Sequence, residues 1–283
     1  MGMTVRIPYF PLPIDQSDVT YEHGPYSVRH DDVQPGITSE FVLNDSEIYP
    51  GTERTVWVHR PADSSAAPLP VMIFQDGWWY LDPADGVRGA IVLDNLIHAG
   101  AIPPMIGVFV DPGVFPDIDD PRRRKNRNAE YDVFDGRYAT FLLDEVLPRV
   151  HEIAPTIDNP TGRGLCGGSS GGNCGVTAAW HRPDAFSKVI ALVSSFAQIP
   201  GGNPYPELLR ATARKPLRIF LQENHRDIGW NEPEDNWFAE NLRTAAALAE
   251  AAYDFRLVLG EGPHLGNQGG VLLPDALRWL WRD

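Results

Sequence analysis

The chain has 283 residues, of which 43% are hydrophobic and 22% are charged, and its formal net charge is −14. This composition is that of an average globular protein, and it excludes a disordered or fibrous one. The negative charge argues against nucleic acid or an anionic membrane as a partner, because phosphate groups would be repelled. No apolar run is long enough for a transmembrane helix, and the start MGMTVRIPYF lacks the features of a secretory signal, so we expect a cytoplasmic protein.

The predicted elements begin with an extended arm over residues 1–37, which is rich in proline, aspartate and aromatic residues. Strands at 39–43 and 54–59 flank the turn signal at 49–52, and a surface loop is expected at 61–70. Further strands are predicted at 71–75, 105–110, 164–166, 188–193, 217–221 and 255–259. Helices are predicted at 89–99, 138–153, 172–181, 237–252 and 274–281, and Pro148 should kink or cut the second of them.

The alternation of strands and helices predicts an α/β fold, with a mostly parallel central sheet that is covered by helices on both faces. No linker divides residues 38–283, which we interpret as a single catalytic domain behind the short N-terminal arm. Cys166 and Cys174 are expected to be two buried thiols. No cluster of cysteine and histidine has metal-binding spacing and no phosphate-loop motif is present, so neither a metal nor a cofactor is predicted.

The strongest motif is the stretch 167–172, Gly-Gly-Ser-Ser-Gly-Gly, between a predicted strand and a predicted helix. A nucleophile at a strand end must project from a strained turn, and small residues on either side let the strand and the helix approach each other. Ser169 and Ser170 both fit the G-x-S-x-G pattern, and the residues alone do not separate them. The alternative is a turn or an anion-binding loop without a covalent role.

A general base and an acid should follow the nucleophile in the order serine, acid, histidine. His264 lies in the loop after the last predicted strand and is the expected base, whereas His181 is expected to cap a helix. The acid should follow the preceding strand, where Asp227 is preferred and Glu223 is the alternative. His225, between these two acids, is expected at the loop surface or in contact with a substrate.

The loop after the 71–75 strand should complete an oxyanion hole, with the backbone N–H groups of Ser170 and Trp78 as the two donors. Trp79 and Tyr80 could line a pocket for an acyl or aryl group, or could simply be core residues. The only basic run, at 122–127, is expected to be a solvated loop that neighbouring aspartates neutralise. Alternatively, it could hold the anionic group of a substrate.

Several blocks resemble the enterochelin esterase-like serine esterases of the α/β-hydrolase superfamily. They are Phe74-Gln75-Asp76-Gly77, 94–97, Arg127-Asn128-Ala129-Glu130-Tyr131, 167–172, 260–264 with Gly269-Gly270, and 277–281. The resemblance covers about residues 38–283 and implies an α/β-hydrolase fold and ester hydrolysis without a cofactor. It favours Ser169 as the nucleophile and Asp227 as the acid.

The function predicted is that of a serine esterase, which forms an acyl-enzyme on Ser169 and acts on a small-molecule ester, weakly indicated to be bulky or aromatic. Arg127 is included with Trp79 and Tyr80 among the substrate-binding residues. Acyl transfer to an alcohol on the same triad is one alternative, and a catalytically silent ligand-binding protein is another. A homodimer is possible, and the sequence does not decide the oligomeric state.

Overall fold

The computed structural model of the chain describes residues 6–17, 19–62 and 67–283. Residues 1–5 and 18 of the predicted arm, and residues 63–66 of the predicted 61–70 loop, lie outside the described residues. In the described part of the arm, the 3-10 turn Pro25–Ser27 is the one helical element before the first strand. None of the helices in the described ranges is long and apolar enough to cross a membrane.

Eight strands form one sheet in the order β1-β2-β4-β3-β5-β6-β7-β8. They are β1 (Ile37–Leu43), β2 (Arg54–Arg60), β3 (Val71–Gln75), β4 (Ile106–Val110), β5 (Arg163–Gly168), β6 (Lys188–Leu192), β7 (Arg218–Arg226) and β8 (Asp254–Pro263). The first two strands are an antiparallel hairpin, and β2 is also antiparallel to β4. The strands from β4 to β8 along the sheet run parallel to one another. Their carboxyl ends therefore meet at one edge, where open α/β sheets place their sites.

Helices cover both faces of this sheet, as the alternating pattern predicts. They are α1 (Gly77–Leu81), α2 (Gly89–His98), α3 (Pro121–Arg124), α4 (Arg127–Tyr131), α5 (Arg137–Phe141), α6 (Leu147–Ile153), α7 (Ser170–His181), α8 (Tyr205–Ala211), α9 (Trp237–Glu250) and α10 (Gly266–Leu280). The α/β-hydrolase type of fold is confirmed by this order of strands and helices.

Side chains of β3 show how the two cores arise from a continuous apolar run. Successive residues of a strand point to opposite faces. Val71 and Ile73 pack in the core under α7 and α9, whereas Met72 and Phe74 pack in the core under α2 and α10. A strand buried on both faces cannot alternate polar with apolar residues, which is why 71–75 is apolar up to Gln75.

Two predicted helices differ from the observed ones. The 138–153 segment is continuous but irregular: α5 passes through a π turn, Leu142–Val146, into α6, and Pro148 is in the first turn of α6, directly after the π turn. The last helix begins at Gly266 rather than at 274, with Pro274 inside it. The short helices α1, α3, α4 and α8 were not predicted.

Candidate active site

Ser169 lies between β5 and α7, in a backbone conformation that is rare for a residue with a side chain. Its φ is 58° and its ψ is −126°. The turn is held by the Ser169 N–H, which donates to the Leu192 carbonyl at 2.8 Å. A Cβ on Gly167 would lie 2.4 Å from the Gly171 carbonyl carbon, so only glycine fits where the strand and the helix meet. The strained turn expected of an exposed nucleophile is therefore present at Ser169.

The hydroxyl of Ser170 is engaged elsewhere, although its backbone begins α7. Its Oγ donates to Asp132 Oδ2 at 3.0 Å, and the other oxygen of Asp132 accepts from the Ser195 hydroxyl at 2.7 Å. All three residues are buried. The Ser170 N–H is in the first helical turn, where N–H groups have no partner within the helix and point to the carboxyl edge of the sheet. This position supplies a backbone donor and removes the Ser170 hydroxyl from the surface.

The predicted base and acid are in contact. Asp227 follows β7, His264 follows β8, and the distance from His264 Nδ1 to Asp227 Oδ1 is 2.5 Å. The Asp227 side chain is completely buried, whereas about a quarter of the His264 side chain is exposed. The ring of Trp237 packs edge-on against the imidazole at 5.0 Å between centroids. A carboxylate can only accept, so the proton is on Nδ1 and Nε2 is free to accept another one.

Charge and hydrogen bonds determine the protonation of Asp227. Burial alone would raise its pKa, but the hydrogen bonds from His264, Glu223 and the Ile228 backbone, together with the His264 charge, hold the pKa below its ordinary value. Glu223, the alternative acid, is inside β7 and fully buried. Among the described residues, His264 bonds to Asp227 and not to Glu223, and no hydrogen bond joins the Ser169 hydroxyl to His264.

The loop after β3 carries the second predicted oxyanion donor. The Trp78 N–H donates to Asp111 Oδ1 at 2.9 Å, at the end of β4. Burial raises the pKa of Asp111 to about 6, against the effect of this bond, and the negative charge of Asp76 adds to the increase. A bound carbonyl oxygen must therefore replace Asp111 if it is to use this donor.

Arg127 and Asp76 form a bidentate ion pair beside the Ser169 turn. The Arg127 Nε and a terminal nitrogen donate to the two Asp76 oxygens at 2.6 and 2.8 Å, and the latter nitrogen also lies 3.3 Å from the Gly168 carbonyl. Asp76 has a left-handed backbone, with φ 58°. Through this bidentate ion pair and the contact with Gly168, Arg127 connects the loop after β3 to the end of β5.

The three aromatic residues of α1, which follows β3, differ in exposure. Trp78 is 54% exposed, Trp79 is partly buried, and Tyr80 has no exposed surface and packs against Phe74 with ring centroids 5.7 Å apart. Tyr80 is thus a core residue in this structure, the alternative that the sequence left open. Sequence reasoning missed three other apolar side chains that are well exposed on the loops carrying the acid and the base: Ile228, Trp230 and Leu265.

Other predicted residues have local roles. His225 is partly exposed and lies 3.3 Å from a Glu261 carboxylate oxygen, while the ring of His181, at the end of α7, packs on Phe134. Cys166 and Cys174 are buried free thiols, as expected. Within the described ranges, no group of three or more histidine, cysteine, aspartate or glutamate side chains could hold a metal ion.

Comparison with known proteins gives a family and several relatives. Residues 47–254 match the family model described as "Putative esterase". The iron(III) enterobactin esterase of Escherichia coli K12 is 27% identical over 180 residues, which are 62% of this chain and 42% of the relative. The enzyme of the same name from Dickeya dadantii is 27% identical over 244 residues, which are 81% of this chain and 52% of the relative. The chain thus spans about half the length of these relatives.

Solved structures show the same fold. The enterobactin esterase of Shigella flexneri, determined in the presence of enterobactin, superposes with a TM-score of 0.72 at 24% identity and covers 89% of this chain and 61% of its own. A ferulic acid esterase superposes with a TM-score of 0.67 at 17% identity and covers 88% of this chain and 99% of its own. At such identities the likeness concerns the fold, and the function has to be argued from the site.

Proposed function

Because the chain belongs to the esterase family whose model matches residues 47–254, we propose that it hydrolyses carboxylic esters through the triad Ser169, His264 and Asp227. The observation that carries the proposal is the 2.5 Å contact between His264 and the buried Asp227, at the same sheet edge as the strained Ser169 turn. A nucleophile, a base and an orienting acid that come from three strand ends form the constellation that acyl transfer requires.

The first half of the reaction forms an acyl-enzyme. His264 Nε2 takes the hydroxyl proton of Ser169 while Oγ attacks the ester carbonyl carbon, and Asp227 stabilises the imidazolium that results. The tetrahedral intermediate then expels the alcohol, to which His264 returns the proton. In the second half, His264 deprotonates a water molecule, which attacks the acyl carbon. The bond to Ser169 Oγ then breaks, His264 returns the proton to Oγ, and the acid leaves.

The negative oxygen of the intermediate needs hydrogen-bond donors in fixed positions. We assign the N–H groups of Ser170 and Trp78 to this role, each worth about 3–4 kcal/mol of transition-state stabilisation in comparable sites. The Trp78 N–H is bonded to Asp111 at 2.9 Å, so the substrate oxygen displaces Asp111 Oδ1 on binding. The Ser170 N–H needs no such exchange, because it begins α7.

The proposed substrate class is an ester with an aromatic or otherwise bulky acyl group. Four apolar side chains keep 36–54% of their surface exposed in segments that carry proposed catalytic or oxyanion residues. They are Trp78 in α1 and Ile228, Trp230 and Leu265 in the loops after β7 and β8. Relatives named for enterobactin and ferulic acid are consistent with such a group. Trp79 stays a proposed contact, and Arg127 could reach an anionic group only by sharing its guanidinium with Asp76.

The experiment that tests the proposal is labelling with a fluorophosphonate probe, followed by location of the modified peptide. We expect the label on Ser169 and none on the Ser169→Ala variant, whose kcat for an aryl ester should fall about 10⁴-fold or more. Ser170→Ala is the matched control, because it changes the adjacent hydroxyl and keeps the backbone donor. Normal turnover by Ser169→Ala, or loss confined to Ser170→Ala, would overturn the assignment.

A further inference from the structure

Two carboxyl groups, not one, are buried behind His264. Glu223 is inside β7 and Asp227 follows the same strand, and neither has exposed surface. Asp227 Oδ1 accepts from His264 and from the Ile228 N–H at 2.6 Å. Glu223 Oε1 accepts from the Asn224 N–H at 2.8 Å.

The other oxygen of each carboxyl group lacks an ordinary donor. Asp227 Oδ2 and Glu223 Oε2 are buried, and no amide, hydroxyl or cationic group of the described residues donates to either. The two carboxyl groups are, however, within hydrogen-bonding reach of each other. A buried acceptor without a donor is costly, and both costs disappear if one proton lies between the two oxygens.

The surroundings decide which carboxyl group holds that proton. Asp227 faces His264, which favours its ionised form, and its pKa is held low. The charged group that acts on Glu223 is Asp227, so burial and this like charge raise the pKa of Glu223 well above its ordinary value. Two adjacent buried carboxylates do not both ionise.

We propose that Glu223 is a positioning residue, whose protonated carboxyl group donates to Asp227 Oδ2 and thereby holds Asp227 Oδ1 on His264. The proposal rests on the proposed function, since it assigns Asp227 as the acid of the triad. A neutral donor satisfies the second oxygen of the buried carboxylate without bringing a cation that would compete with the imidazolium. Glutamine can supply the same donor from its amide group, but methionine cannot.

The first test compares Glu223→Gln with Glu223→Met. We expect Glu223→Gln to keep kcat for an aryl ester within about 10-fold, and Glu223→Met to lose about 10- to 100-fold in kcat with little change in KM. Glu232→Gln is the matched control, since it makes the same change on an exposed side chain of the following loop.

A second test does not depend on turnover. At about pH 8, where Asp111 is ionised, the wild type should show the infrared carbonyl band of a protonated carboxylic acid. The band should disappear in Glu223→Gln and remain in Glu232→Gln and Ser169→Ala. Absence of a band that depends on Glu223, equal loss of kcat in the Gln and Met variants, or full activity of a folded Glu223→Met protein would overturn the proposal. If the band is present but Ser169→Ala stays active, the proposed function is refuted, whereas the proposal of a proton shared by Glu223 and Asp227 is not.

Discussion

Replacing Asp111 by asparagine should stabilise the protein, by an amount that depends on pH. Asp111 is largely buried next to the negatively charged Asp76, and its carboxylate accepts one hydrogen bond, from the Trp78 N–H. Its pKa is about 6, compared with 3.8 for an ordinary aspartate. Asparagine keeps the size of the side chain and an acceptor oxygen for Trp78, and it replaces the charged carboxylate by a neutral amide.

The magnitude follows from the difference between these two pKa values. At about 1.4 kcal/mol for each pH unit, the ionised Asp111 destabilises the folded protein by up to about 3 kcal/mol, and partial exposure reduces this to about 1–3 kcal/mol. Because the pKa is higher in the folded than in the unfolded state, the folded protein binds more protons between about pH 4 and pH 6. The wild type therefore loses stability as the pH rises through this window, and Asp111→Asn does not.

Urea unfolding of the wild type and of Asp111→Asn, at several pH values, measures the effect. The variant should match the wild type near pH 4 and should exceed it by about 1–3 kcal/mol above about pH 6. Asp119→Asn, which changes an exposed aspartate, is the control and should show no such dependence. A difference that is constant with pH, or a variant less stable than the wild type near pH 7, would refute the reasoning.

Two further substitutions test the packing around the site. Gly167→Ala should abolish activity and lower Tm, because its Cβ would lie 2.4 Å from the Gly171 carbonyl carbon. Gly24→Ala is the control and should leave both unchanged, since its Cβ would have nothing within 4 Å. Normal activity and Tm in Gly167→Ala would contradict this packing. Glu130→Gln should reduce the free energy of unfolding by about 3–5 kcal/mol, since it leaves Arg54 charged in a site where both side chains are completely buried. Denaturant unfolding measures this loss, and a loss below about 1 kcal/mol would show that Arg54 finds another partner.

The sequence was sufficient for the parts of the fold that depend on local patterns. Continuous apolar runs located β3 and β4 almost to the residue, because strands buried on both faces are apolar along nearly their whole length. The glycine-rich half of α10 was missed, since glycine ordinarily indicates a turn. In the structure those glycines serve close packing: a Cβ on Gly270 would lie 1.7 Å from the Gly86 carbonyl oxygen.

The residues alone do not separate the two serines, and the proposal of Ser169 rests on contacts that no local pattern contains. Ser169 and Ser170 have the same glycine spacing, and what distinguishes them is the bond from the Ser170 hydroxyl to Asp132, 38 residues earlier in the chain. The choice between the two acids has the same origin. The strand predicted to end at 221 continues to Arg226, which places Glu223 inside β7 and leaves Asp227 for His264.

Four carboxyl groups at the carboxyl edge of the sheet differ in how their burial is compensated. Asp76 is paired with Arg127, whose cation matches its charge, and Asp227 is paired with His264, whose ring becomes a cation in the proposed reaction. Asp111 and Glu223 have no such partner within hydrogen-bonding distance among the described residues, and burial raises the pKa of both. An ester hydrolase must stabilise a negative oxygen in this region, and every unpaired carboxylate nearby would oppose it. Protonation of Glu223 removes one such charge at neutral pH, and the pKa of about 6 leaves Asp111 easier to neutralise than an ordinary aspartate. The raised pKa values thus limit the negative charge that faces the substrate carbonyl.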